Sequence, residues 1–209
     1  MKKAVIFDMD GVLIDSEYFY FKRRMAFFDS LGIEPTTRNF KNFIGLSDRM
    51  IWEKLVPEDS VKRKLLQEKY VKYRKNNEIK FKEVLNSSAR DTSIKLKKRG
   101  IKLAVASSSE KKEILRMLRE CELEGYMDFV ISGEECRESK PSPDIYIKAV
   151  EALNILPSEA LAVEDSLLGI ASAKSAGLEV AALAPKDYYL DQSEAQYQIN
   201  DLKEIIELI

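Results

Sequence analysis

Two carboxylates stand two residues apart near the start of this chain. Asp8 and Asp10 follow an apolar, β-branched run from Ala4 to Phe7, and Gly11 comes directly after them. Such a run reads as a buried strand that ends in acids. Like charges about 4 Å apart repel by roughly 4 kcal/mol at an effective dielectric near 20. Beside an apolar strand the pair therefore calls for a compensating cation. Glycine at position 11 lets the backbone turn so that a carbonyl and both side chains can face one point. Two more places carry polar groups in the same relation to an apolar run, Ser107 and Glu164 with Asp165, and Lys140 sits in the loop after a further one. Each has a plainer reading, as a helix cap, a surface lysine or an acidic loop. Independent loops would rarely place all of them alike.

The chain contains no histidine. Serine-histidine triads and histidine zinc sites are excluded on that ground. Acid-base chemistry here must use carboxylates, lysine, tyrosine or a metal-bound water. Cys121 and Cys136 are the only cysteines, too few for a disulfide framework or a cysteine-rich zinc site.

The elements that must position these groups follow from periodicity. Asp15-Ser16 can cap a helix that runs to about Leu31 and stops at Gly32, with Tyr18, Phe21, Met25 and Phe28 on an apolar face. Further helices are expected over Asp48 to Val56 and Ser60 to Asn76, with loops at Pro35-Thr36-Thr37, Ile44 to Ser47 and Pro57-Glu58-Asp59. From about Arg90 the pattern becomes a repeated helix and strand alternation. Strands are expected at Ile101 to Ala106, Phe129 to Ser132, Leu161 to Val163, Val180 to Leu183 and, weakly, Gln196 to Ile199. Helices fall between them, one carrying Ile114, Met117, Leu118 and Cys121 on one face, and a last one carrying Leu202, Ile205, Ile206 and Ile209. Short apolar strands alternating with amphipathic helices imply a parallel sheet covered on both sides. Sites in such sheets gather at the carboxyl ends of the strands.

The chain has 209 residues, 45% of them hydrophobic, 33% charged, and a net charge of −1. That is the balance of a globular protein with no whole-chain basic excess to attract nucleic acid. No apolar run is long enough to span a bilayer, and acids interrupt the one after Lys2-Lys3, so neither a membrane segment nor a signal peptide is expected. A cytoplasmic location is the expectation. Composition fixes no oligomeric state and is compatible with a monomer. Residues 15–81 hold 15 Lys and Arg against 10 Asp and Glu, a bias that could draw an anionic ligand or simply mark solvated helix faces.

Taken together, four segments resemble the motifs of the haloacid dehalogenase superfamily, in particular its phosphatase and β-phosphoglucomutase branch. They are Phe7-Asp8-Met9-Asp10-Gly11-Val12-Leu13-Ile14-Asp15-Ser16, then Ala106-Ser107, then Ser139-Lys140-Pro141-Ser142-Pro143-Asp144, then Val163-Glu164-Asp165-Ser166 with Gly169. Each is weak alone; four in order are specific. The resemblance covers almost the whole chain. It implies a Rossmann-like α/β core with a mostly parallel sheet over 1–14 and 82–209, and a small all-helical cap over 15–81. It also implies phosphoryl transfer from a small phosphorylated metabolite. Asp8 would be the nucleophile, Asp10 the general acid and base, and Lys140 a charge-balancing residue. Ser107, Ser108 and the amides opening the next helix would bind phosphoryl oxygens, with Arg49 as a further phosphate contact. Asp8, the Asp10 carbonyl, Asp165 and Glu164, directly or through water, would hold Mg2+.

Departures from the branch bear on the reaction. The histidine expected in the first cap helix aligns with Tyr20. The cap loop reads Gly45-Leu46-Ser47-Asp48, with Arg49 one place late, and a cap lysine is missing upstream of Tyr70-Val71-Lys72. Losing contacts to a second phosphate harms a mutase more than a phosphatase, so hydrolysis is expected, with β-phosphoglucomutase as the alternative. A receiver-like phosphate-binding protein is a remote third reading, and a dinucleotide-binding enzyme lacks its glycine-rich turn.

Overall fold

The computed structural model describes every residue of the chain except Gly45 and Asp187. Six strands form one sheet: β1 Ala4–Phe7, β2 Lys102–Ser107, β3 Phe129–Ser132, β4 Ala160–Glu164, β5 Glu179–Leu183 and β6 Tyr197–Ile199. All pairings are parallel, in the order β3-β2-β1-β4-β5-β6. The central strands bury both faces, so β1 and β4 are inaccessible along their whole lengths. This is why they read as unbroken apolar runs instead of alternating ones. The first strand lies between β2 and β4, with Phe7 opposite both Val105 and Val163. Its carboxyl end therefore opens at the point where the strand order reverses.

The helices are α1 Glu17–Ser30, α2 Asp48–Leu55, α3 Ser60–Asn76, α4 Phe81–Val84, α5 Ala89–Lys98, α6 Lys111–Glu120, α7 Asp144–Leu153 and α8 Leu167–Ser175. Packing of Ile145, Tyr146, Ala149, Val150 and Leu153 of α7, and Ile170 and Ala173 of α8, onto the sheet forms one core. Among the described residues no helix is long and apolar enough to cross a membrane.

The chain divides into two compact units, one of residues 1–15 and 81–209, the other of residues 16–80. Within the second unit, Phe27, Phe28, Trp52, Leu55, Leu66 and Tyr70 make a separate core. Its rings meet edge to face, Phe27 and Tyr70 at 5.2 Å between centroids and Trp52 and Tyr70 at 5.5 Å, the arrangement favoured by ring quadrupoles.

Several expectations are corrected in detail. Tyr18 does not join the buried face of α1, being 51% exposed; Lys22 covers its ring at 4.4 Å, while Met25, Phe27 and Phe28 turn inward. The second strand runs one residue later than expected, so that Ser107 pairs with Ser132 inside the sheet. The last helix is a 3-10 turn, Leu202–Glu207. Leu202 and Ile205 are both fully buried, and a three-residue turn superposes side chains at that spacing. The glycine of the loop before α2, Gly45, lies outside the described residues.

Candidate active site

The end of β1 places Asp8 where three chain segments meet. Its amide donates to the Val163 carbonyl at 2.9 Å, which ties the turn after β1 to the end of β4. Lys140 Nζ lies 2.6 Å from Asp8 Oδ1 and 2.6 Å from Glu164 Oε1, and donates to the Ala106 carbonyl at 3.0 Å. The lysine side chain is 7% exposed. A buried ammonium persists only when carboxylates compensate it. Burial works against its charge, but Asp8 and Glu164 outweigh that and hold its pKa well above the ordinary lysine value. Burial pushes the Asp8 carboxyl up to about 8, and Glu164 and Asp10 push the same way while Lys140 pulls it down. One ammonium does not balance the acids gathered here.

Glu164 is fully buried. Besides Lys140, it accepts from the Tyr146 hydroxyl at 2.5 Å. Burial first, and the neighbouring Glu164 second, hold the Tyr146 phenol well above its usual pKa, so Tyr146 stays a donor. Two glycines make room for the acids. A Cβ on Gly169 would fall 2.0 Å from Glu164 Oε2, and one on Gly11 would fall 2.0 Å from Asp165 Oδ2. Gly11 also has φ +82°, a conformation open mainly to glycine. Ser166 begins α8 by accepting from the Gly169 amide at 3.1 Å. Gln192 holds the Asp165 carbonyl from the far side at 2.6 Å.

Asp8, Glu164 and Asp165 each offer a carboxylate oxygen within 4.8 Å of the others. Three oxygen donors with a surplus of negative charge suit a hard divalent cation, and magnesium favours such a set. The residues present fit that ion.

The expected phosphate-binding side is built from serines. Ser107 is buried at the end of β2, and Ser108 is exposed. The Ser109 amide donates to Ser107 Oγ at 3.1 Å, and the Ser109 hydroxyl donates to Asp10 Oδ2 at 2.7 Å. The Lys111 amide, which opens α6, donates to Glu134 Oε2 at 2.9 Å. This amide, offered to phosphate by the family resemblance, already has a carboxylate partner. Arg49 lies on α2 in the other unit, 86% exposed and paired with Glu53 at 2.9 Å.

Sequence reasoning missed Tyr146, Ser109 and Gln192. Tyr146 sits on the apolar face of a helix and reads as core. Ser109 was visible as the last of three consecutive serines. Gln192 lies outside any helix or strand and carries no periodic signal.

The sequence model of haloacid dehalogenase-like hydrolases matches residues 5–183. A phosphorylated carbohydrates phosphatase of Thermotoga maritima is 36% identical over 85% of this chain and 82% of its own length. Hexitol phosphatase B of Escherichia coli is 27% identical over 96% of this chain and 90% of its own. Among solved structures, a Thermotoga maritima protein provisionally assigned as a β-phosphoglucomutase is 32% identical. It superposes with a TM-score of 0.77 over 100% of this chain and 98% of its own.

Proposed function

Since the chain belongs to the haloacid dehalogenase-like hydrolase family and is an enzyme of the phosphatase kind, we propose that it hydrolyses a small phosphomonoester, a sugar phosphate in particular, through an aspartyl-phosphate on Asp8. The observation that carries this reading is Lys140, buried between Asp8 and Glu164 at 2.6 Å from each. A lysine so placed balances the nucleophile and leaves Asp8 Oδ1 fixed in direction, as in-line attack requires.

Asp8 attacks phosphorus as the bond from phosphorus to the ester oxygen breaks. Asp10 gives its proton to that oxygen, and the alcohol leaves. Water then attacks the acyl phosphate, Asp10 takes the water's proton, and phosphate departs as Asp8 is regenerated. Ser107 and Ser108 orient the phosphoryl oxygens. Asp8, Asp165 and the Asp10 carbonyl, with Glu164 directly or through water, would hold magnesium, which when bound neutralises charge on the nucleophile and the phosphoryl group. A sugar phosphate substrate is supported by the names of the phosphorylated carbohydrates phosphatase and hexitol phosphatase relatives.

A panel of phosphate esters assayed for phosphate release tests the reading. Turnover is expected to require magnesium, to vanish with chelator, and to fall by roughly 10³ or more in Asp8→Asn. Release indifferent to both would rule out the mechanism. Conversion of β-glucose 1-phosphate plus a trace of bisphosphate into glucose 6-phosphate, without free phosphate, would replace hydrolysis by the mutase reaction.

A further inference from the structure

We infer that Ser109 is a positioning residue for Asp10, holding its carboxyl in one orientation for proton exchange with the leaving group; the inference rests on the phosphatase reading above. The Ser109 hydroxyl donates to Asp10 Oδ2 at 2.7 Å. Its own backbone is held at both polar groups by the ends of two strands. Its amide donates to Ser107 Oγ at 3.1 Å, and its carbonyl accepts from Ser132 Oγ at 2.7 Å. Ser132 is fully buried, and its hydroxyl also accepts from the Glu134 amide at 3.1 Å. Gly133 allows close approach to this loop, since a Cβ there would meet Ser108 Cα at 3.3 Å. A serine on a free loop would sample its rotamers. This one is tied to the sheet that also carries Asp10.

A hydrogen bond to one oxygen of a carboxyl group fixes the plane in which the group lies. With Ser109 bonded to Oδ2, the Asp10 carboxyl is held in one orientation. As the phosphorus–oxygen bond breaks, Asp10 gives a proton to the ester oxygen. In the second half-reaction it takes a proton from water while Oδ2 remains bonded to Ser109. The serine neither gains nor loses a proton.

Proton delivery matters in proportion to the basicity of the leaving oxygen. A nitrophenolate departs without help, whereas the alkoxide of a sugar does not. Ser109→Ala is therefore expected to lower kcat/KM about tenfold or more on a sugar phosphate that the wild type hydrolyses, and less than about twofold on p-nitrophenyl phosphate, since a positioned general acid contributes about 10²–10⁴. Ser109→Thr keeps the donor and should restore most of the loss. Ser109→Cys, nearly isosteric but a weak donor, should fall between, and serves if the alanine variant does not fold. Equal losses on both esters, or no loss on either, would overturn the inference while leaving the phosphatase reading intact. A wild type that releases phosphate from neither ester, or an Asp8→Asn variant as active as wild type, would overturn both.

Discussion

Glu164 shows how much of this site depends on residues that do no chemistry. Its carboxylate is inaccessible and accepts from Lys140 and Tyr146, while Gly169 leaves the space beside it. In Tyr146→Phe the acid keeps the lysine but loses a buried donor. A loss of about 1.5–3 kcal/mol is expected, the range for a hydrogen bond to a charged group. Urea denaturation of the two proteins measures it, and an unchanged midpoint would show that the phenol contributes nothing. Gly169→Ala is the harsher change, because a methyl group cannot occupy a point 2.0 Å from Glu164 Oε2 without moving the carboxylate. Overpacking of this kind costs about 1–3 kcal/mol, and the displaced acid should loosen Lys140 from Asp8. Phosphate release should fall with it, and a stable variant of full activity would contradict this account. Asp8, Asp10, Glu164 and Asp165 stood out in the sequence because polar residues directly after apolar runs are conspicuous, and Lys140 stood out through its place in the Ser139-Lys140-Pro141 motif. Tyr146 and Ser109 were not, because a tyrosine on a helix's apolar face and a serine before a helix have ordinary structural uses.

At the scale of elements, what was legible was what burial writes into periodicity. The six strands and most helices followed from it, to within about one residue where turn signals were strong. The four-residue helix Phe81–Val84 was invisible because it is shorter than two turns. The 3-10 turn at Leu202–Glu207 was misread because apolar residues three and four apart fit either helix. Contacts between elements away from the strand ends were not legible, and Asp128 is an example. It lies just before β3, accepts from the Leu103 amide at 2.7 Å, and binds Lys97 of α5 at 2.7 Å. Burial acts to raise its pKa, but the Lys97 and Leu103 bonds outweigh that and hold the carboxyl below its ordinary value. A depressed pKa adds stability above the unfolded-state value, and that stability is lost as pH falls through the folded value. Asp128→Asn should therefore cost about 1 kcal/mol at neutral pH, discounted for partial exposure. The difference from wild type should close as the solution is acidified below pH ~4. Denaturant midpoints at neutral and acid pH test this; a gap that widens in acid would reverse the assignment.

At the scale of the molecule, the two units rest on different physics. The larger buries apolar strands between helices, whereas residues 16–80 depend on rings collected from three helices, with Trp52 1% exposed among Phe27, Phe28 and Tyr70. A small unit covers a smaller fraction of its surface, so its stability is the more marginal. Trp52 is the one tryptophan of the chain, so its emission reports this unit alone, while far-UV circular dichroism reports both. In equilibrium urea unfolding the fluorescence midpoint should come at lower denaturant than the dichroism midpoint. Leu55→Ala, which empties a site 1% exposed in the same core, should lower the fluorescence-derived stability by about 2–4 kcal/mol. The late part of the dichroism curve should stay in place, because no atom of the parallel sheet is altered. Superimposed curves from the two probes, shifted together by Leu55→Ala, would instead show that the units unfold as a single cooperative body.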